Sequence, residues 1–321
     1  DPLFLDDLLK AHGADKIKIK NNDDPIPQEI SNAVNSSANA ILENINRAVV
    51  INPVSLLSLI LLATPKHTLD EEICVKQLDT YRNLLTAIPY DGRTQVTPLS
   101  GREISAYGLK LKWSKRVPHV LGDIIAIADN QAVLLTYFRN NILHAFVLPS
   151  LIAALVEHNG RINKTDLLNV IRTLYPFLKA ELFLKWKDSE INAQVTEYID
   201  ALAQANLIFV DDEDFIFCPT PNSEDHNQLA VLAAPVRQSL ERYYMTMALI
   251  SQRGSGNISI RQVEELSHLV GQRLSVLYEF NSPEFFDKSL FQSFVKVLTE
   301  QGYIKTNEDH AIVYSEQFSN V

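Results

Sequence analysis

Arg139, Asn140, Asn141 and His144 gather in "LTYFRNNILHAFVLPSLIAALVEHNG" (Leu135 to Gly160), at the mouth of a run that is otherwise apolar. A guanidinium, two amides and an imidazole allow three readings: a membrane-entering hairpin, an active-site constellation, or a polar network that orients a buried helix. If the chain turns from strand to helix near Arg139, then Asn140 and His144 stand four apart and Asn141 and His144 three apart, on one helix face. Such a face can bind a polar ligand. It can equally satisfy backbone groups exposed where strand gives way to helix, the commoner use of asparagine at such a junction. The network reading is preferred. His119 with Asp123 and His67 with Asp70 have spacings that a general-base pair would use. Asp70, however, falls in the first turn of a helix, where a carboxylate is favoured without any catalytic role. Cys74 lies mid-helix among apolar neighbours with nothing basic placed to make a thiolate, so it reads as core. The chain has no G-x-S-x-G elbow, glycine-rich phosphate loop or H-E-x-x-H pair. Its two cysteines, Cys74 and Cys218, have no metal-ligand spacing, so no metal, cofactor or disulfide framework is expected.

A second candidate surface is basic. "LKLKWSK" (Leu109 to Lys115) alternates apolar and basic residues, so a strand there sets Lys110 and Lys112 on one face; Lys115 and Arg116 follow directly. That face could meet phosphate or anionic lipid. Its plainer reading is a half-buried strand whose lysines discourage edge pairing. "KIKIK" (Lys16 to Lys20) repeats the pattern with the same two readings.

The elements that position these residues read as mostly helical in the first third. "NNDDPIPQE" (Asn21 to Glu29) is a proline-marked linker, and helical spacing fills Pro27 to Ala87, broken at Asn52-Pro53. Thr68 and Glu71 have the spacing of a capping box. "GDIIAIADNQAVLLTYF" (Gly122 to Phe138) reads as two strands joined at Asp129-Asn130, and "LYPFLKAELFLKW" (Leu174 to Trp186) as a helix packed on its aromatics with Lys179, Glu181 and Lys185 solvated. Ser282 and Pro283 mark a helix start. The most apolar windows, Val54 to Pro65 and Ile142 to Val156, fall short of the roughly 20 residues that a bilayer span requires and read as buried helices.

The second half echoes itself. At an offset of 96, "LAQANLIFVDDEDFIF" (Leu202 to Phe217) lies over "LTEQGYIKTNEDHAIV" (Leu298 to Val313), each a helix end, a strand, an acidic turn and a strand. Two helix-plus-hairpin units resembling winged helices follow. Their acidic turns would repel phosphate, and a net charge of -10 excludes nucleic acid as a partner. Protein docking is the expected use. The fold class is mainly α with small β-hairpins (α+β): a tail and linker at 1–24, a helical body with a hairpin region near 109–138 at 25–158, and the two units at 159–230 and 231–321.

The strings "NRAVVINPVSLLSLILLAT", "GDIIAIADNQAVLLTYFRNNILHAFVLPSLIAALV", "LYPFLKAELFLKW" and "QRLSVLYEFNSPEFFDKSLFQSFVKVLTEQGYI" closely resemble the C-terminal region of the bacterial membrane-associated glycerol-3-phosphate 1-O-acyltransferases. "DPLFLDDLLKAHG" is similar to the segment that follows the last acyltransferase motif in that family, and the chain reads as cut from something longer. The family's H-x-x-x-x-D base and E-G-x-R-S phosphate site do not carry over: no histidine here has an aspartate five positions later. The resemblance therefore implies a non-catalytic C-terminal region. Its implied partner is the catalytic acyltransferase domain of the same protein, which would take acyl-CoA or acyl carrier protein and glycerol 3-phosphate. The implied place is peripheral, on the cytoplasmic face of the bacterial inner membrane, with a membrane surface as a further partner and the fragment itself soluble. The rival reading is a free-standing interaction or regulatory module of paired winged-helix-like units.

Overall fold

The computed structural model describes residues 3–17, 25–277, 287–314 and 318. Helices dominate: α1 (Leu5–Ala11), α2 (Gln28–Arg47), α3 (Pro53–Ala63), α4 (Glu71–Ala87), α5 (Gly101–Lys110), α6 (Ala132–Asn159), α7 (Lys164–Leu182), α8 (Ile191–Gln204), α9 (Glu224–Arg253), α10 (Ile260–Leu277) and α11 (Lys288–Glu300). The strands are short: β1 (Val50–Ile51), β2 (Thr68–Asp70), β3 (Gln95–Val96), β4 (Ser114–Val117), β5 (Ile124–Ile127), β6 (Arg161–Asn163), β7 (Phe209–Val210), β8 (Phe215–Phe217), β9 (Ile304–Thr306) and β10 (Ile312–Tyr314). The protein is mainly α with small β-hairpins, as its periodicity implies.

One apolar core runs through the helical body and both helix-plus-hairpin units. At its centre lie the two most apolar windows. Every residue of α3 from Val54 to Leu62 is buried, and its start is fixed by Asn52, whose side chain accepts from the Ser55 amide at 2.9 Å ahead of Pro53. α6 packs most extensively on α9 and α3. At 28 residues it is longer than its apolar window suggested, and by length and composition it could cross a membrane; yet 67% of its apolar span is covered by protein. It ends at Gly160, whose φ of 67° is the left-handed turn that glycine tolerates best.

Three local expectations are corrected. "LKLKWSK" is not a strand: α5 runs to Lys110, Lys112 turns left-handed with φ of 60°, and β4 begins only at Ser114. The helix wins because Ser100 and Glu103 form a reciprocal capping box that nucleates it. Two of its glycines also allow close packing. A Cβ at Gly101 would lie 2.1 Å from the Val75 carbonyl oxygen of α4, and one at Gly108 would lie 2.3 Å from Leu57 Cδ2 of α3. Next, "QAVLLTYF" is the first two turns of α6, and only the "IIAI" of β5 is extended. β5 is flanked on both edges, by β2 and by β4, so its ladder is complete without a further strand. Finally, Thr68 does not cap α4. Thr68 to Asp70 pair with β5, so Asp70 is the residue left at the helix start, accepting from the Glu72 and Ile73 amides at 2.9 and 3.1 Å.

The internal echo is visible in the chain's course. At the offset of 96, β6, α7, α8, β7 and β8 correspond in order to residues 257–259, α10, α11, β9 and β10. The strand pairing Asn163↔Phe215 corresponds to the bridge Ser259↔Ala311. In the first unit the sheet order is β6-β8-β7, and the long helix α6 leads in, as α9 leads into the second. Helix, strand, two helices and a hairpin whose second strand is central is the winged-helix order. Ser282 and Pro283 lie outside the described residues, as does most of "KIKIK"; α11 is capped by Asp287, which accepts from the Ser289 amide at 2.9 Å.

Candidate functional site

Arg139 is in the third turn of α6, not at a strand-to-helix junction, so the four residues have no helix start to cap. The helix sets Asn141 apart from the other three. Arg139 and His144 point inward and are 6% and 3% exposed, whereas Asn140 and Asn141 lie on the exposed side. Asn140 curls back so that its Oδ1 accepts from Arg139 Nε and Nη2 at 3.1 and 2.9 Å. Arg139, Asn140 and His144 line a cleft of about 290 Å³ between α2, α6, α7 and α9, and Asn141 does not.

His144 satisfies the end of another helix. Its Nε2 lies 3.1 Å from the Asn46 carbonyl oxygen, an acceptor, so Nε2 carries the hydrogen and donates. Burial pushes the imidazole down to about 4 despite that hydrogen bond, so it is neutral at physiological pH. The Tyr90 ring meets it edge-on at 4.7 Å. Asn46 passes the role on: its Nδ2 donates to the Leu182 and Phe183 carbonyls at 2.7 and 3.1 Å, at the end of α7 where Phe183 turns left-handed. One imidazole and one amide thus tie together the C-termini of α2 and α7, where the last carbonyls of a helix have no intrahelical partner.

On the opposite wall stands a buried ion pair. Glu181 is not solvated as expected: its carboxylate accepts from Arg242 Nη2, from Ser239 Oγ at 2.7 Å and from Tyr243 OH at 2.6 Å, and the Glu181 and Arg242 side chains are 9% and 4% exposed. Burial, with the neighbouring Arg242 charge adding to it, pushes Arg139 down to about 10, which leaves it charged. Lys179 donates to the Trp186 carbonyl at 2.8 Å, beside Tyr175 OH, which donates to the same oxygen at 2.6 Å. Lys185 is half-buried over the Tyr90 and Trp186 rings. Asn46, Ser239, Arg242 and Tyr243 escaped the sequence reading, because their partners lie 58 to 137 positions away. The only available signal was Glu181 in a heavily aromatic segment.

The remaining candidates do not form dyads. The Asp123 carboxylate accepts from the His119 backbone N–H at 3.4 Å, while the His119 ring Nδ1 accepts from the Leu121 amide. Asp70 is engaged in capping α4, and burial lowers His67. Burial raises the Cys74 thiol to about 12, with Glu71 and Asp70 adding to it, so the thiol stays protonated. The basic group is dispersed. Lys110 ends α5, and Lys112 sits in the turn that follows. Lys115 pairs with Asp129 at 2.6 Å, and Arg116 pairs with Glu71 and lies 3.7 Å from Asp123. Half of the supposed cationic surface is neutralised in place. Among the described residues no three His, Cys, Asp or Glu side chains are grouped to hold a metal ion.

The imidazole, buried with its Nε2–H on a backbone carbonyl, and the carboxylate, shared by three donors, hold helices to one another. The family described as glycerol-3-phosphate acyltransferase C-terminal region matches residues 1–307. This chain belongs to that family. It is similar to the glycerol-3-phosphate acyltransferase of Pseudomonas paraeruginosa (35% identical over 316 residues, covering 98% of this chain and 38% of that protein). The enzymes of that name from Xanthomonas campestris pv. campestris (34% over 320 residues; 99% and 36%) and Xylella fastidiosa (33% over 320 residues; 99% and 37%) are similar as well. The chain therefore spans under two fifths of the length of the relatives it matches.

Proposed function

We propose that this glycerol-3-phosphate acyltransferase C-terminal region supports and partly covers a catalytic acyltransferase domain in the same protein. That protein transfers an acyl group from acyl-CoA or acyl carrier protein to the sn-1 hydroxyl of glycerol 3-phosphate, a step of phospholipid synthesis. The observation that carries the reading is the pattern of coverage: nearly all of this chain aligns with acyltransferases, and the greater part of each acyltransferase lies outside it. The site chemistry agrees. Deprotonating a hydroxyl needs a base within reach of it and free to take the proton. His144 is 3% exposed, with burial holding its imidazole down at about 4, too weak a base and too far from solvent, and the His119 ring nitrogen Nδ1 already accepts from a backbone amide. The cleft at Arg139 then serves as a polar network that fixes helix ends.

The protein is read as peripheral, on the cytoplasmic face of the inner membrane; that 67% of the apolar span of α6 is covered by protein argues against this helix crossing the bilayer. The test uses two proteins: the 321-residue chain and the full-length product of its reading frame, each assayed with acyl-CoA and glycerol 3-phosphate. Turnover is expected only from the full-length protein. Turnover above background by the 321-residue chain, or none by the full-length protein, overturns the proposal.

A further inference from the structure

α2 is buried inside out. On an ordinary surface helix the aliphatic residues face the body and the polar residues face water. Here Ala33 alone is buried and Ile30, Ser37, Ala40 and Asn44 are half-buried, while Val34, Ile41 and Ile45 are 60%, 50% and 60% exposed. With Ala38 and Ala48, also exposed, they form a stripe at 34, 38, 41, 45 and 48, the three-and-four spacing of one continuous helix face. Leu42 borders it at 37% exposure. α1, which packs on α2, adds Phe4 and Leu5 at 62% and 68%. Single exposed aliphatics are ordinary, but a row of β-branched residues along one helix face is the mark of an interface.

Charge and chain length identify what covers it. α2 carries Glu29, Glu43 and Arg47 and no lysine, and α1 carries Asp6, Asp7 and Lys10, so both helices are net negative and would be repelled by an anionic bilayer. The relatives, for their part, contain a large stretch of chain beyond the part aligned with these residues. We propose that the outward stripe of α2, Val34-Ile41-Ile45, is the docking surface for the portion of the acyltransferase that lies outside this chain. The proposal rests on the reading of this chain as the supporting region of that enzyme. His144 and Asn46 give the surface its rigidity, since they lock the C-terminal turn of α2 onto α6 and α7.

The test compares hydrogen exchange of α2 in the 321-residue chain and in the full-length protein, alongside the triple variant Val34→Ser, Ile41→Asp, Ile45→Asp. Because the stripe is exposed, the variant chain alone should melt within about 2 °C of the unsubstituted chain, in keeping with the small effects of surface changes. In the full-length protein, α2 amides should exchange at least tenfold more slowly than in the chain alone, and the triple variant should abolish that protection. Equal exchange in an active full-length acyltransferase overturns the docking surface and leaves the functional reading intact; an inactive full-length protein overturns that reading instead. Flotation of the 321-residue chain with phosphatidylethanolamine–phosphatidylglycerol vesicles, lost in the triple variant, would overturn the proposal in favour of lipid. A concentration-dependent dimer dissolved by the same variant would overturn it in favour of a second copy.

Discussion

Replacing Glu181 by Gln removes a charge without opening a cavity, and it isolates the electrostatic role of the pair across the cleft. The Glu181 carboxylate is the shared acceptor for Arg242, Ser239 and Tyr243, and the Arg242 side chain is only 4% exposed. With an amide in its place, Arg242 remains buried opposite a group that cannot balance it, and one face of that amide turns N–H toward the former donors. Removing one partner of a buried ion pair costs about 3–5 kcal/mol, because the orphaned charge retains its desolvation cost. A chain of this length gains roughly 0.7 kcal/mol/K of entropy on unfolding, so the midpoint should fall by about 4–7 °C. Thermal unfolding followed by circular dichroism measures it. The second arm combines Glu181→Gln with Arg242→Met, which removes the stranded charge and fills its space with an apolar side chain. The double variant should recover most of the loss, since apolar replacements of buried pairs are often neutral. A drop below about 1 kcal/mol for Glu181→Gln, or a double variant no more stable than the single one, would refute the reasoning.

Two further perturbations follow from the same core. His144 is held near 4 in the folded chain, below the 6.5 of a free imidazole, so the unfolded chain takes up its proton first as pH falls. Its contribution is complete above about pH 7 and is lost between about 6.5 and 4, reaching about 3 kcal/mol. His144→Gln keeps a donor for the Asn46 carbonyl, and urea titrations of the two proteins across that range should show stabilities that converge as the pH falls; parallel curves would contradict the assignment. Gly101→Ala sets a Cβ against the backbone oxygen of Val75, whereas Gly108→Ala meets the movable end of Leu57. Both should destabilise, by about 1–3 kcal/mol, with Gly101→Ala the larger in the same titration.

Much of the fold is legible from local chemistry. Asn52 caps α3 ahead of Pro53, Gly160 ends α6 in a left-handed turn, and α3 announces its burial by being apolar on every side. The repeat at an offset of 96 marks both winged-helix-like hairpins in the sequence, because each is a local unit bounded by its own turn. The resemblance in named strings likewise points to the acyltransferase family that the match over residues 1–307 establishes.

What the chain could not show by itself depends on partners far away in sequence. Whether "QAVLLTYF" extends a sheet or starts a helix depended on β2 and β4 having already filled both edges of β5. Thr68 lost its capping role to Asp70 because pairing with β5 holds it extended. Arg139 and Asn140 resemble a junction only if "QAVLLTYF" is extended, whereas α6 begins at Ala132, and Glu181 is buried by three donors from a helix some 60 positions on. Local sequence fixes periodicity, caps and turns, which are interactions within a few residues. The direction a helix face points, and so which polar group is buried and which aliphatic stripe is left outside, is a property of the packed whole.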